Sequence, residues 1–286
     1  MDRSTPQVVD IRAHYDLPDE FFALFLDPTM TCTCAHFPQP GMSLEEAQRA
    51  KFDLAFGKLN LAPGMTVLDL TAAWGSALAY AVTECDVNVH GLTQSRRQYD
   101  CARKVVGDLT SPRSADVAHL DWDRAEVPVD GILAIGSLEH VHRERYDEFF
   151  AHAHSLLPGG GRMLLQTVIG FDTAALHDRG LPADHEHELF GTFLRTEVFP
   201  GAQAPQSNWV HDAVEAAGFR VEHVHSLRTD FARTLDMWAA NLMNNRDAAI
   251  RVTSADVYQR YLRYLTGCAE RFRRGYFDQV QYTLVK

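Results

Sequence analysis

The chain has no run of about 18 or more apolar residues, so no transmembrane helix is expected. Met1-Asp2-Arg3-Ser4-Thr5-Pro6 has no apolar stretch behind a basic start, so secretion is not expected either. Cysteine is scarce: five residues, odd in number and irregularly spaced, which fits reduced thiols in a cytoplasm rather than a disulfide framework. Cys32-Thr33-Cys34 has no second pair to complete a four-ligand site, so no metal is assigned. Positive charge is in deficit. A net charge of −11 speaks against nucleic acid as partner and disfavours an anionic membrane surface. There is no G-x-S-x-G, no Walker loop and no H-E-x-x-H, and no internal repeat or low-complexity tract.

What is present is a core. With 286 residues, 46% of them apolar, the chain fits a single α/β domain over 1–286, with a cap and an insertion. Residues 8–60 read as an N-terminal helical cap. An amphipathic helix is expected within 8–30, and a second over 43–60, opened by the Ser43/Glu46 capping box. Residues 61–169 alternate strand and helix. Strands are expected at Met65–Leu70, Asp86–Leu92, Asp116–Leu120, Gly131–Ile135 and Arg162–Val168, with helices over Ser76–Val82, Gln94–Val106 and Arg143–Leu157. Such βαβ units imply a mostly parallel sheet with helices on both faces and a ligand at the carboxyl ends of its strands. Residues 170–207 break the pattern and read as an insertion over the site. Residues 208–286 return to it, with helices at Asn208–Ala217, Ala232–Asn244 and Asp256–Phe272, a strand at Arg220–Arg228 and a last antiparallel strand at Gln279–Val285.

The candidate site residues sit at those strand ends. Asp69 closes the first strand, before the turn Thr71-Ala72-Ala73-Trp74-Gly75, where a nucleotide-binding loop carries glycine. Glycine there permits φ > 0 and close approach of backbone to a ligand. Thr71 and Ala73 add side-chain carbon at such positions. Thr93 and Gln98 follow the second strand, as ligand contacts or as helix capping. Trp122-Asp123 follows the third, where Trp122 stacks on an adenine or packs at a rim. Glu139 and His140 follow the fourth, with Glu139 as a base or an anchor. Asp184-His185-Glu186-His187-Glu188 reads as a solvated helix start, and Arg271–Arg274 as a solvated helix end.

Taken together, Ala13-His14-Tyr15-Asp16-Leu17-Pro18-Asp19-Glu20-Phe21-Phe22, Leu24–Thr29, Leu44–Gln48, Ser137–His140, Glu144–Asp147 and Tyr264–Glu270 resemble the mycolic acid cyclopropane synthase and cyclopropane-fatty-acyl synthase family. The similarity runs from about Asp10 to Lys286, without the extra N-terminal domain of the larger relatives. The resemblance implies a Rossmann-like class I methyltransferase with a seven-stranded sheet. It implies S-adenosylmethionine as methyl donor, an alkene of an acyl or polyene-like chain as acceptor, an acyl carrier protein as candidate carrier, a carbocation, and a bound bicarbonate as base. It assigns Thr33, Asp69, Thr71, Ala73, Trp74, Gly75, Thr93, Gln98, Trp122 and Asp123 to the cofactor. Glu139, Cys34, Phe231, Gln166 and Cys268 go to the catalytic pocket, and Tyr15 and His140 to the substrate. Four of these depart from the family pattern. Thr71 and Ala73 stand in place of glycines, Gln166 in place of a histidine and Phe231 in place of a tyrosine. A second reading follows from them: a member that no longer methylates and instead binds or cyclises a hydrophobic molecule in the same pocket. A third is a non-catalytic, partner-binding paralogue.

Overall fold

The computed structural model describes residues 17–183 and 185–286. Tyr15 lies outside the described residues, as does Asp184.

Seven strands form one sheet in the order β3-β2-β1-β4-β5-β7-β6. They are β1 (Thr66–Asp69), β2 (Asn88–Leu92), β3 (Ala115–Ala118), β4 (Gly131–Ile135), β5 (Arg162–Gly170), β6 (Arg220–Ser226) and β7 (Phe277–Val285). The pairings of β7 with β5 and β6 are antiparallel and the others parallel. The central strands read as unbroken apolar runs because helices cover both faces, and every residue of β4 is buried. The strand order reverses between β1 and β4, so a crevice opens there at the carboxyl edge.

On one face, α2 (Leu44–Leu59) buries Phe52, Ala55, Phe56 and Leu59 against β4, β5 and α3 (Ser76–Thr83). Its capping box closes as expected: Ser43 Oγ accepts from Glu46 N at 3.2 Å and Glu46 Oε2 from Ser43 N at 2.8 Å. α4 (Arg96–Asp108) follows β2, and α5 (Tyr146–Leu156) precedes β5. α8 (Ser207–Ala216) leads into β6. A second apolar cluster gathers Phe21, Phe22 and Phe25 with α9 (Arg228–Asn244), α10 (Arg246–Val252) and α11 (Ala255–Arg274).

Several expectations are corrected. Within 17–30 only Asp19–Phe22 is helical (α1): Leu24 N and Phe25 N then bond only three residues back, to Phe21 O and Phe22 O, and Asp27 closes the segment with its own carboxylate. Its oxygens accept from Thr29 N at 3.0 Å and Thr31 N at 3.1 Å, and Pro28 adds no donor. Phe21, Phe22, Phe25 and Leu26 are nevertheless buried. The second strand starts at Asn88 rather than Asp86, since Asp86 turns the chain at φ +55°. Residues 170–207 contain α6 (Thr173–Asp178), α7 (His185–Phe193) and a π-helical turn at Leu194–Val198. α10 was not foreseen, and α9 begins at Arg228 rather than Ala232.

Candidate active site

Two cavities open at the carboxyl edge of the sheet, and Cys32, Thr33, Gly136 and His140 line both. The first lies over the β1–β4 crevice. Of the residues assigned to the cofactor, Thr33, Asp69, Thr71, Ala73, Thr93, Gln98 and Trp122 line it. Asp69 is 1% exposed. Its Oδ1 accepts from Thr71 N at 2.9 Å, while its Oδ2 and the buried Thr71 Oγ1 have no partner within the protein. Ala73 holds a left-handed backbone, at φ +46°, whereas Thr71 stays out of that region. The added carbons therefore strain one residue and leave the cavity open.

Trp74, Gly75 and Asp123 line neither cavity. Trp74 is buried on the far side of the loop, its Nε1 donating to Asp19 Oδ1 at 2.9 Å and its ring centroid 5.2 Å from that of Phe22. Gly75, at φ +95°, lets α3 approach α4: a Cβ there would stand 3.2 Å from Ala102 Cα. Asp123 pairs with Arg145 at 2.9 Å, and that guanidinium lies 4.5 Å from the centre of the Trp122 ring.

The second cavity brings together Cys34, Glu139, His140, Gln166, Phe231 and Cys268. Its wall is aromatic, with Phe199, Tyr264, Phe272 and Phe277 beside Phe231, whose ring lies 4.7 Å from that of Phe272. Glu139 Oε1 accepts from Val168 N at 2.8 Å, and its buried Oε2 has no partner within the protein. Gln166, on β5, accepts at Oε1 from Gln281 Nε2 at 2.9 Å, which turns its Nε2 away from the sheet partner and leaves it unpartnered.

The match to known proteins is then direct. A family model described as mycolic acid cyclopropane synthetase covers residues 2–282. Cyclopropane mycolic acid synthase 1 of Mycobacterium tuberculosis is 47% identical over 285 residues, 100% of this chain and 99% of that protein. This chain belongs to the mycolic acid cyclopropane synthetase family. The solved cyclopropane synthase MmaA2 from Mycobacterium tuberculosis superimposes with a TM-score of 0.96 at 45% identity, covering 100% of both chains. CmaA1 complexed with SAH and CTAB gives 0.95 at 47% identity, again over 100% of both. The fold is the class I methyltransferase fold, shared at 18% identity with coclaurine N-methyltransferase at a TM-score of 0.78.

The electrostatics of this family member are set by burial. Burial pushes Asp69 up to about 7, against the Thr71 N–H and the Lys51 charge, which favour its ionised form. Lys51 was not foreseen. It sits at 1% exposure in the first cavity, its Nζ 3.2 Å from Thr33 Oγ1 and 3.6 Å from the Phe52 ring centre, and burial brings it down to about 8. One signal was legible: Lys51 lies one turn from both Ala47 and Ala55, on the buried face of α2. In the second cavity burial raises Glu139 above its ordinary value and lowers His140 to about 4, so the imidazole is neutral near pH 7. Burial also holds Cys34 well above the ordinary thiol value and Cys268 at about 12, so both stay thiols and serve as wall rather than nucleophile. Gln203 and Gln279, also unforeseen, complete the polar part of this wall.

Among the described residues no cluster of three or more His, Cys, Asp or Glu could hold a metal ion, and no helix is long and apolar enough to cross a membrane.

Proposed function

We propose that this chain is an S-adenosylmethionine-dependent C-methyltransferase of cyclopropane synthase type, acting on an alkene of an acyl or lipid-like chain. The observation that carries the reading is the meeting of a polar cavity at the strand ends with an aromatic one, through a shared wall of Cys32, Thr33, Gly136 and His140. The residues of the first cavity fit the cofactor. Lys51 offers a buried ammonium to a carboxylate, Asp69 Oδ2 and Thr71 Oγ1 are unsatisfied acceptors for an amino group or hydroxyl, and Trp122 offers an aromatic surface. When bound, the cofactor supplies a methyl carbon made electrophilic by a sulfonium centre.

The second cavity takes the chain. An alkene is a poor nucleophile, so alignment and exclusion of bulk water carry much of the acceleration. The aromatic wall places ring faces near the positive carbon that forms. Glu139 is the carboxyl group of the cavity and, once ionised, its proton acceptor, and neutral His140 adds no opposing charge. We read residues 170–207 as the cover of this cavity, since Gly191, Leu194, Arg195 and Phe199 stand in its wall. Exposed Arg195 offers a guanidinium to an acidic acyl carrier protein, and the enzyme works in the cytoplasm, where Cys34 and Cys268 remain reduced. No observation favours the reading without methylation, because the crowded loop still leaves the first cavity open.

The test is calorimetric titration with S-adenosylmethionine, followed by turnover of Glu139→Gln. Binding is expected in both chains, with kcat reduced roughly a hundred- to ten-thousand-fold in the variant. No heat and no thermal shift at millimolar cofactor would sink the proposal.

A further inference from the structure

We propose that Cys32 is a second methyl acceptor in this chain: in the absence of an alkene, the thiol at the junction of the two cavities takes the methyl group of S-adenosylmethionine and becomes S-methylcysteine. The inference rests on the methyl-donor reading proposed above.

A methyl group that passes from a donor in the first cavity to an acceptor in the second crosses the place where the two meet, and Cys32, Thr33, Gly136 and His140 line that place. Unpartnered buried atoms mark each side as a ligand site. In the first cavity these are Asp69 Oδ2 and Thr71 Oγ1, with Asp69 1% exposed. In the second they form an acid corner, with Phe231 in the same wall: Glu139 Oε2, Gln203 Oε1 and Gln166 Nε2, with Gln166 also 1% exposed. The chain at the junction belongs to no helix or strand, yet it is fixed on both sides of Cys32. Buried Gln48 Nε2 donates to Thr31 O at 3.3 Å and to Thr33 O at 2.8 Å, and Lys51 Nζ donates to Thr33 Oγ1 at 3.2 Å. The backbone therefore keeps the Cys32 sulfur in the shared wall.

Of the four junction residues, Cys32 carries the nucleophile. Gly136 has no side chain, Thr33 offers an alcohol that keeps its proton, and burial makes His140 a weak base, at about 4. A thiolate attacks an electrophilic carbon far more readily than an alkene does. Cys34 and Cys268, also in the second cavity, are buried and stay thiols, whereas Cys32 is half-buried and reached by solvent. Lys51 supplies the opposite charge, since its ammonium and a Cys32 thiolate each favour the charged form of the other. In the transfer, Cys32 gives its proton to solvent and a lone pair of its sulfur forms the bond to the methyl carbon. The bond from that carbon to the sulfonium sulfur breaks and leaves its electron pair there. The products are S-methylcysteine and S-adenosylhomocysteine.

Two measurements test this. In the first, the full chain is incubated with S-adenosylmethionine carrying a deuterated methyl group, without any acyl substrate, and its peptides are read by mass spectrometry. The expected result is a single labelled methyl group per chain, on Cys32, and none in Cys32→Ser. An unlabelled Cys32 in a chain that binds the cofactor by calorimetry, or label on Cys34 or His140 instead, overturns the inference. Methyl transfer to an oleoyl thioester of acyl carrier protein by that same chain leaves the methyltransferase reading in place. No binding of the cofactor overturns both. The second measurement needs no turnover. The cofactor-free chain is alkylated with iodoacetamide, with and without saturating S-adenosylhomocysteine. Cys32 is expected to react about tenfold or more faster than Cys34 and Cys268, and S-adenosylhomocysteine to slow it by about tenfold or more. Alkylation of Cys32 that S-adenosylhomocysteine leaves unchanged, or that is no faster than that of Cys34, overturns the inference.

Discussion

The loop over the first cavity and the acid corner of the second both depart from the family pattern, but the departures act through different physics. At the loop, Thr71 and Ala73 add carbon without changing which groups can donate or accept into the cavity, apart from the Thr71 hydroxyl. Their effect falls on the backbone, and only at Ala73, where φ is +46°. At the acid corner, Gln166 and Phe231 leave the backbone ordinary and change the hydrogen-bonding roles of the wall. A size change in a loop that keeps its shape costs stability and leaves binding possible. A role change in a buried wall alters which ligand atoms can be matched there, because an unmatched buried polar group costs about 1–3 kcal/mol.

The largest effect expected from the first region concerns Asp69. Its folded value of about 7 lies above the roughly 3.9 of an unfolded chain, so the folded state holds the proton more tightly. That contribution to stability is complete below about pH 4 and is lost as pH rises through about 7. Asp69→Asn is therefore expected to stabilise the cofactor-free protein by about 4 kcal/mol at pH 8 and to flatten its stability between those pH values, as followed by denaturant unfolding. Parallel curves for the two proteins would place the strain of this region elsewhere.

Next comes Lys51. Replacing it by Met is expected to weaken S-adenosylhomocysteine binding at pH 7 by about 2 kcal/mol, roughly thirtyfold, through loss of a charge-assisted contact. In the natural chain the affinity falls as pH rises through about 8, where Lys51 gives up its proton, and the Met variant lacks that dependence. Equal affinities by calorimetry would remove Lys51 from the cofactor site. The smallest effect belongs to the loop. Ala73→Gly relieves the left-handed strain by about 1 kcal/mol and raises the melting temperature by about 2 °C, whereas Thr71→Gly brings no gain. Equal shifts at both positions would erase the distinction between the two.

The sheet was readable from the sequence because buried parallel strands are apolar without interruption, as in Gly131–Ile135, and because Ser43 and Glu46 announce a helix start through their own side chains. The stretch 17–30 was misread for a related reason. Its phenylalanines have helical spacing, but after Phe22 the chain tightens into three-residue turns before the Asp27 carboxylate takes Thr29 N and Thr31 N, and spacing alone carries no sign of either. At the site, the strand-end positions Asp69, Thr93, Trp122 and Glu139 fell where the fold puts them. The neighbours Trp74 and Asp123 face other partners, because consecutive residues of a turn point in different directions. Lys51 and Gln203 come from a helix and a loop distant in sequence from the strand ends, and only the folded chain brings them to the cavities.

Gln166 turns its amino group inward because its oxygen is already taken by Gln281, whose own oxygen is taken by Lys58 at 2.6 Å, itself 3.2 Å from His225 Nδ1. The row runs from the heart of the molecule to its flank, each amide fixing the sense of the one before. A change of charge or bonding at the outer end could rotate the inner amide and present oxygen where nitrogen had been. Which atom faces the cavity is thus decided partly by a lysine that does not line it.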